Sequence, residues 1–543
     1  PGNVITTITN GFGAVTAFDY KALTDTSVYT RMRDSANADW GNGSVVYDLV
    51  TPDYVVSGVN TSAPQYGLAG ATSSFEYDYV GGKLQSGGRG FLGFGEIVVY
   101  DSQSGIRTNT RYRQDFPFTG LAADTIQAIV DNAGKFIPVS DNASTVPVEW
   151  GALSIDSATP PLSSASLVSY AIHGWNAIET AGGAVFPFMD DSLVRNYSLA
   201  GGFSHKVLTH SRFDLFGNVT SSTVATYDTD NGVAFTVRSS VNTYLNDTGS
   251  WHLGLLAEGS VTHARPGTPA TTRESSYGYD LNTGILDQQV VEPNDEANQV
   301  ISEFGLDVYG NRVRTTVAGA GMAARTKIET RDPLGRFVVE TRNAFDQITS
   351  KVNEWDAFGN VLETEDIDGV RTVLAVDYMG RPFARYVETG IWSSTLNAEG
   401  AGVYCPSGTA YHATNSAGGY PAQISCNDVL AREIRNVTEG FSGTHIFVDQ
   451  YFDSSGRIER VSEPYYNGQS RHWNLNSYDA AERIVGIISA DGDDALYSYD
   501  EAAINPCTPA TVGVVAFANG LGQRRIEIRN AIGELVAAYD HNC

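Results

Sequence analysis

The sequence predicts an all-β protein in which tandem hairpins form one long, spiralling sheet, and two observations support this fold class. The pattern Asp-x-x-Gly, an aspartate followed by two variable residues and a glycine, recurs at Asp307, Asp332, Asp356 and Asp377, at intervals of 25, 24 and 21 residues. The runs between these units are short, rich in β-branched and aromatic residues, and partly alternating, as strands are. Because one hairpin is only marginally stable, such an array must gain its stability by stacking neighbours into a continuous sheet.

Each Asp-x-x-Gly unit is predicted to be a hairpin turn. An aspartate in the first position caps a β-turn, and a glycine in the fourth adopts positive φ at no steric cost. The four glycines are Gly310, Gly335, Gly359 and Gly380. Weaker copies at 343–346 and 366–369 reduce the spacing to 10–13 residues, which is one strand plus one turn. The alternative is a β-sandwich, but a sandwich does not need the same turn sequence each time.

Further copies of the unit occur earlier and later in the chain. They begin at Asp214, with Gly217, and at Asp453, with Gly456, while Tyr279-Asp280 begins another. With its flanking residues the unit reads Tyr/Phe-Asp-x-x-Gly-Arg/Asn, which resembles the YD repeat of the Rhs, teneurin and Tc-toxin families.

A second resemblance lies before the repeats. The segment 88–94, Gly-Arg-Gly-Phe-Leu-Gly-Phe, is followed by aromatic segments at 100–105 and 112–118. This order is similar to the region just upstream of the repeats in Rhs proteins and Tc-toxin B subunits. Together the two resemblances cover the chain from roughly residue 5 to its end. They imply a hollow β-shell that encloses a toxic C-terminal segment, whereas the spacing alone indicates only a long sheet.

The chain divides into three predicted segments. Residues 1–120 form a β-rich segment resembling the region upstream of Rhs repeats, and 121–265 form a strand-rich connecting region with early repeats. Residues 266–543 are the repeat array, with an insertion at about 400–430. The sequence also predicts a turn at 131–134 and one weak helix at 164–179.

Composition argues against several functional classes. The formal charge is −27 and only six of the 35 basic residues are lysines, so a nucleic-acid partner is not expected. A solvated acidic exterior explains this charge; an acidic lumen holding a basic cargo is the alternative. No run approaches the length of a membrane-spanning helix. We expect a processed or trimmed piece, because no methionine or leader precedes Pro1, and we expect the repeats to continue beyond Cys543.

The cysteines suggest one disulfide. Cys405 and Cys426 bracket a Gly/Ser/Tyr-rich stretch that interrupts the repeat rhythm. A disulfide closing this loop in an oxidising compartment would contribute roughly 3 kcal/mol. Unpaired buried cysteines are the alternative, and the spacing fits no zinc pattern.

No motif indicates catalysis, a cofactor or a metal. The segment 88–93 matches G-x-G-x-x-G, but a strand at 96–100 follows where a dinucleotide site needs a helix. His205 and His210 are an odd number of residues apart on a predicted strand and therefore lie on opposite faces. The acidic stretches 491–494 and 228–232 lack the glutamate of a Ca²⁺ loop and are expected to be solvated turns. The repeat aspartates are assigned to turns, so we predict no catalytic, cofactor-binding or metal-binding residue.

The resemblance implies a structural module of a polymorphic toxin, secreted or at the bacterial cell surface. Its expected partners are a C-terminal effector segment of the same precursor or a companion shell subunit, together with a secretion or delivery apparatus. Rhs proteins release their toxin by autoproteolysis in a segment after the repeats, and no counterpart occurs before Cys543. One alternative is an extracellular adhesion or fibre protein built from the same repeats; another is a carbohydrate-active enzyme with an acidic cleft.

Overall fold

The computed structural model describes residues 4–31, 45–130, 167–179, 183–500, 507 and 513–543. This part of the chain contains 40 β-strands, one short 3-10 turn at Phe441–Gly443, and no α-helix. The predicted all-β fold is therefore confirmed. No helix in the described part of the chain has the length and apolar character needed to span a membrane.

The strands are numbered in chain order. The first twenty are β1 Thr7–Thr9, β2 Val15–Ala22, β3 Tyr29–Thr30, β4 Val46–Asp48, β5 Tyr54–Ser62, β6 Thr72–Val80, β7 Lys83–Gln85, β8 Gly90–Phe91, β9 Glu96–Asp101, β10 Ile106–Tyr112, β11 Ala122–Ile129, β12 Leu167–Glu179, β13 Val185–Tyr197, β14 Phe203–Phe213, β15 Val219–Tyr227, β16 Thr236–Asp247, β17 His252–Ala264, β18 Thr271–Asp280, β19 Ile285–Val291 and β20 Val300–Leu306. The second twenty are β21 Arg312–Gly319, β22 Met322–Arg331, β23 Val338–Arg342, β24 Ile348–Trp355, β25 Val361–Asp366, β26 Arg371–Val376, β27 Pro382–Val387, β28 Trp392–Glu399, β29 Tyr411–Ala417, β30 Tyr420–Asn427, β31 Glu433–Glu439, β32 His445–Phe452, β33 Ile458–Ser462, β34 Tyr465–Tyr466, β35 Trp473–Tyr478, β36 Ile484–Ile488, β37 Ala495–Tyr499, β38 Val514–Asn519, β39 Arg524–Arg529 and β40 Leu535–Tyr539.

One sheet of 37 strands accounts for nearly the whole fold. It starts β1-β2-β5-β6-β9 and then runs strand by strand from β9 to β32, each antiparallel to the last. It continues from β32 through β33 and β35 to β40, while β34 pairs beside β32. The exception in direction is β3, which runs parallel to β6. A separate three-stranded sheet consists of β4, β7 and β8.

The six full repeat turns lie along one edge of this sheet, whereas the weaker copies at 343–346 and 366–369 follow odd-numbered strands and lie on the other edge. The six predicted turns, at 214–217, 307–310, 332–335, 356–359, 377–380 and 453–456, each follow an even-numbered strand from β14 to β32. Since units 21–25 residues apart are separated by two strands, their turns return to the same side. We call this the first edge. The intervening turns, including 10–13, 63–71 and 265–270, form the second edge.

A one-residue shift in register precedes the repeat turns. The shift occurs at Gly305/Leu306, Thr330/Arg331 and Ala375/Val376, each time in the last residues before the aspartate. This is the pattern of a type I turn with a glycine bulge, which bends the strand and increases its twist.

The sheet forms a single layer with little enclosed core. Buried apolar side chains in the described residues form three small clusters, centred on Val437, Val28 and Leu167. Most strand residues are half-buried on both faces; β25, for example, has no buried position. A sandwich would bury one face of each strand against a second layer, so this arrangement excludes the sandwich alternative for the described chain.

The predicted helix at 164–179 is wrong. Residues Leu167–Glu179 form β12, paired with β11 on one side and β13 on the other. Long-range pairing outweighs the weak helical pattern, and Trp175 fixes the strand by donating its indole N–H to the Ala122 carbonyl at 2.7 Å. The insertion at about 400–430 supplies β29 and β30 to the same sheet. The predicted turn at 131–134 lies outside the described residues.

Candidate functional site: the hairpin turns and the seam between sheet edges

The repeat aspartates cap the hairpin turns with both carboxylate oxygens. Asp307 Oδ1 accepts the backbone N–H groups of Tyr309 and Asn311 at 2.9 Å each, and Oδ2 accepts the Asn311 side chain at 3.0 Å. The Gly310 N–H donates to the Asp307 carbonyl at 3.1 Å, and Gly310 has φ +82°. Donors from its own turn surround this carboxylate, so its role is structural rather than that of a general base.

The other predicted turns repeat this arrangement. Their glycines have φ between +68° and +90°; they are Gly217, Gly335, Gly359, Gly380 and Gly456. Each aspartate accepts two backbone N–H groups of its turn, as at Asp214, Asp356, Asp377 and Asp453. Asp332 differs in accepting from Arg336 and Phe337, because this turn closes one residue later.

The residue after the glycine, an asparagine or arginine in the repeat pattern, completes the cap, and the pattern alone did not reveal this role. An asparagine or arginine there donates its side chain to the second carboxylate oxygen, as Asn360 does to Asp356 and Arg381 to Asp377, both at 2.7 Å.

The same cap also forms without glycine. The turn starting at Asp428 places Ala431 at φ +61°, and the turn starting at Asp479 places Glu482 at φ +62°. The signal that would have found these turns is an aspartate followed four residues later by arginine, here Arg432 and Arg483.

Hydrogen bonding lowers the pKa of the capping carboxyls of Asp307, Asp332, Asp356 and Asp377. The side chain of the residue after the glycine is the main cause of the lowered pKa at Asp307, Asp356 and Asp377. At Asp332 the main cause of the lowered pKa is the backbone N–H of Phe337. These donors favour the ionised form, so the turns are held by carboxylates rather than carboxylic acids.

Neighbouring turns on the first edge also pack on one another. The ring of Tyr309 lies over Gly335, where a Cβ atom would come within 2.3 Å of Tyr309 Cδ2. Phe337 lies over Gly359 in the same way, at 2.5 Å, and stacks on Trp355 with 5.7 Å between ring centroids. Glycine is therefore required at these turns both for its positive φ and for the space above it.

The predicted cysteine pair is a disulfide in the structure. Cys405 and Cys426 have Cα atoms 5.6 Å apart, and Cys426 is fully buried. A second disulfide joins Cys507 and Cys543, which the sequence analysis did not pair. It was missed because the sequence around Cys507 carries no repeat pattern that would indicate that Cys507 and Cys543 lie close together in space.

A buried ionic cluster lies beside the first disulfide. Asp449 is fully buried and receives Arg435 Nη2 at 2.9 Å, Arg471 Nε at 3.0 Å and the Tyr465 hydroxyl at 2.8 Å. Its backbone N–H donates to the Ser462 hydroxyl at 2.9 Å. Because both carboxylate oxygens are neutralised by arginines, this aspartate organises β31 to β35 rather than offering a reactive group.

The glycine-rich segment 88–93 serves as a structural loop. It contains β8 and leads into strand β9, with no helix terminus to face a phosphate. Gln114 is buried and donates its Nε2 to the carbonyls of Gly81 and Gly93, both at 2.8 Å. The guanidinium of Arg89 lies 3.4 Å from the centre of the Phe116 ring.

The histidines and acidic turns do not converge. His205 contacts Asn196 and His210 contacts Asp191 from opposite faces of β14. Asp494 accepts the Ser489 backbone N–H at 2.9 Å within its own turn. In the described ranges, no group of three or more His, Cys, Asp or Glu residues is placed to hold a metal ion.

The sheet curls until its second edge near the N-terminus meets its first edge much later in the chain. The ring of Phe12 stacks on Tyr411 with centroids 4.7 Å apart, and Asn10 Nδ2 donates to the Val429 carbonyl at 3.1 Å. The Pro64 carbonyl accepts from Arg432 at 3.0 Å. We call this line of contacts the seam.

The seam continues towards higher residue numbers on both edges. Tyr66 packs against Tyr451 and Trp473 with centroids 4.8 and 5.7 Å away. Farther on, Arg265 and Glu534 form an ion pair at 2.9 Å. The curled sheet is thus held by contacts between turns of the second edge and turn or strand residues of the later part of the sheet.

Known proteins resemble this chain in sequence and in fold. Residues 1–120 match the family described as the insecticide toxin TcdB middle/N-terminal region. The predicted resemblance to the Rhs and Tc-toxin proteins is confirmed. No curated protein sequence matches this chain.

Solved structures share its fold over almost its full length. A crystal structure of TcdB2-TccC3 matches with a TM-score of 0.68 at 9% identity, covering 98% of this chain and 36% of that one. A crystal structure of TcdB2-TccC3 without its hypervariable C-terminal region gives 0.68 at 9% identity, covering 98% and 37%. A Tc holotoxin pore from Photorhabdus luminescens gives 0.64 at 9% identity, covering 99% and 38%. The chain spans little more than a third of the length of these chains, and at this identity the likeness concerns the fold.

Proposed function

We propose that this chain is a wall segment of a β-shell that encloses a separate polypeptide, the effector of a Tc-like toxin. The observation that carries the proposal is the single-layer sheet closed on itself by the seam. A sheet that buries neither face against a second layer, yet is curled edge to edge, has the form of a wall.

In this function the chain is non-catalytic. The repeat carboxylates are occupied by their own turns, and the largest charged cluster is buried around Asp449. The partners would be a C-terminal effector segment of the same precursor or a companion shell subunit, and a delivery apparatus. Secretion or display at the bacterial surface agrees with the two disulfides, which persist in oxidising compartments.

A second candidate is an adhesion or fibre protein. The end strands favour it, because in the described chain β1 pairs with β2 alone and β40 with β39 alone. Free strand edges are able to join copies end to end.

Native mass spectrometry of the secreted material, before and after denaturation, separates the two candidates. Encapsulation predicts a native mass above 58.3 kDa and release of a different polypeptide on denaturation. That polypeptide should resist protease until the shell is opened. A ladder of multiples of the chain mass, with no second polypeptide, would refute encapsulation and support the fibre.

A further inference from the structure

The disulfide between Cys405 and Cys426 fastens the segment 400–410 onto the sheet beside the seam. This segment connects β28 to β29, and Cys405 attaches it covalently to β30. The two cysteines differ in their access to solvent. Cys426 is fully buried, whereas Cys405 is half-buried and lies two residues after Val403, which is 93% exposed. A reagent in solution therefore approaches the disulfide from the Cys405 side.

The disulfide lies close to two contacts of the seam. Tyr411, which stacks on Phe12, is six residues after the first cysteine. Val429, whose carbonyl accepts the Asn10 side chain at 3.1 Å, is three residues after the second cysteine. Both seam residues are therefore held within a few residues of one covalent bond.

A chain of contacts links the disulfide to the aromatic part of the seam. Arg435 donates Nη1 at 2.9 Å to the carbonyl of Tyr404, the residue before the first cysteine. The same arginine belongs to the buried ionic cluster around Asp449. That cluster includes Arg471, whose guanidinium lies 6.0 Å from the centre of the Trp473 ring. Since Trp473 packs against a second-edge turn in the seam, displacing the disulfide-bonded segment also disturbs these aromatic contacts.

The surroundings of Cys426 favour its departure as a thiolate. In the sheet register Cys426 lies directly opposite His412 on β29 and Arg435 on β31, so the three side chains share one face. The ionic cluster beside it contains two arginines and one aspartate, and it therefore carries a net positive charge. Positive charge stabilises the thiolate that leaves when a disulfide is attacked. This arrangement favours attack at the Cys405 sulfur with Cys426 as the leaving group.

We propose that the Cys405–Cys426 disulfide is a redox switch that keeps the seam closed until a low-molecular-weight thiol reduces it. A thiolate attacks the Cys405 sulfur, the bond to Cys426 breaks, and Cys426 leaves as a thiolate that takes up a proton. A second small thiolate attacks the mixed disulfide at the small-molecule sulfur and releases Cys405, which is protonated in turn. Two small thiols are thus oxidised to one disulfide while the protein disulfide is reduced to two thiols.

The consequence of reduction is a freed segment 400–410 and a looser seam. Loosening of the seam does not depend on a cargo, whereas release of a cargo through the loosened seam rests on the proposed shell function.

Photo-crosslinking across the seam tests the switch in the full chain. The photoreactive phenylalanine analogue p-benzoylphenylalanine replaces Phe12, which stacks on Tyr411, or Phe337, the matched control that stacks on Trp355 within the repeat array. The expected result is a crosslink from position 12 to the peptide carrying Tyr411 that loses most of its yield after treatment with reduced glutathione. The crosslink from position 337 to the peptide carrying Trp355 should be unchanged.

Two cysteine variants assign the response to one disulfide. Cys507→Ser with Cys543→Ser should lose the position-12 crosslink on reduction as the unsubstituted chain does. Cys405→Ser with Cys426→Ser should give the weak crosslink without reductant and no further change with it. Alkylation of freed thiols in the unsubstituted chain, followed by mass spectrometry, identifies the reduced disulfide even if a variant does not fold.

Three results would overturn the proposal. The first is a Cys405–Cys426 bond that resists glutathione in the folded chain. The second is a bond that is reduced while the position-12 crosslink keeps its yield. The third is an equal loss of yield at positions 12 and 337, which would indicate general unfolding.

Failure of the switch and failure of the shell function give different results. A separate polypeptide that denaturation releases but glutathione does not, with the position-12 crosslink intact, would reject the switch and leave encapsulation standing. Loss of that crosslink with glutathione, in material that holds no second polypeptide, would support the switch and reject encapsulation.

Discussion

Replacing Gly335 with valine should destabilise its hairpin more than the same change at a glycine of equal conformation. Gly335 has φ +68°, and Gly321, in the turn between β21 and β22, has φ +69°. A Cβ atom at Gly321 would meet no atom within 4 Å, whereas at Gly335 it would lie 2.3 Å from Tyr309 Cδ2 and 2.9 Å from Cε2. Comparing the two valine substitutions separates the cost of positive φ from the cost of the clash between the new side chain and the Tyr309 ring.

The magnitudes follow from these two effects. A side chain in the left-handed region costs about 1–2 kcal/mol, which is the whole expected effect of Gly321→Val. At Gly335 the ring of Tyr309 must also swing away. It is 60% exposed, so it gives up the burial of roughly 80 Å², about 2 kcal/mol at 25 cal/mol per Å². Gly335→Val should therefore cost about 3–4 kcal/mol of local stability.

Hydrogen exchange of the backbone amides in each turn provides the assay. The Asp332 amide, which donates to the Phe337 carbonyl at 2.9 Å, reports on the Gly335 hairpin. The extra 2 kcal/mol corresponds to about 30-fold faster exchange than the control substitution produces in its own turn. In a Tyr309→Ala background, the effect of Gly335→Val should fall to that of the control. Equal effects of the two valine substitutions, or no change in the Tyr309→Ala background, would refute the close packing of neighbouring turns.

Three further predictions concern the caps, the disulfide and the buried ionic cluster. The Asn360 side chain lowers the pKa of Asp356 in the folded protein. This cap therefore contributes its whole stabilisation above the unfolded carboxyl pKa of about 3.9, and the contribution is lost as the pH falls through the lower folded pKa. Asn360→Leu should raise the pKa of Asp356, which carboxyl ¹³C NMR titration would show; an unchanged titration would contradict the cap. The double substitution Cys405→Ser and Cys426→Ser should lower the stability of the repeat array by about 3 kcal/mol, measured by chemical denaturation under oxidising conditions. Reductant should cause no comparable further loss of stability at that site in this variant. Asp449→Ala should cost about 3–5 kcal/mol because it leaves the buried Arg435 without its carboxylate partner, whereas Asp491→Ala in an exposed turn should cost less than about 1 kcal/mol; similar losses would show that the cluster is not buried.

The sequence predicted the local features of the fold well, because they depend on residues close together in the chain. The spacing from Asp307 to Gly380 indicated hairpins two strands apart, and the structure places those turns along one edge. Turns with Ala431 or Glu482 at positive φ were missed because the prediction relied on glycine rather than on the aspartate and its arginine partner. The helix prediction failed at β12, where pairing with two distant strands decides the conformation.

The seam could not be predicted from the sequence in the way that the turns were. The seam joins residues 269 to 419 positions apart in the chain, and no local pattern sets that distance. Apolar residues such as Phe358 and Tyr378 were visible in the sequence at the variable positions of the repeat turns. Their exposure became evident only in the structure, where Phe358 is 86% and Tyr378 90% exposed. The second disulfide likewise depends on how the last strands fold back.

Small-angle X-ray scattering of the isolated chain tests the central claim, the single-layer curled sheet, most directly. A compact globule of 543 residues has a radius of gyration of about 24 Å. A wall with no filled core predicts a value well above that, with a distance distribution whose maximum is shifted to long distances. The substitutions Phe12→Ala and Tyr66→Ala remove aromatic contacts of the seam, so they should open the sheet and increase the radius of gyration further. A radius of gyration near 24 Å, unchanged by those substitutions, would contradict the account.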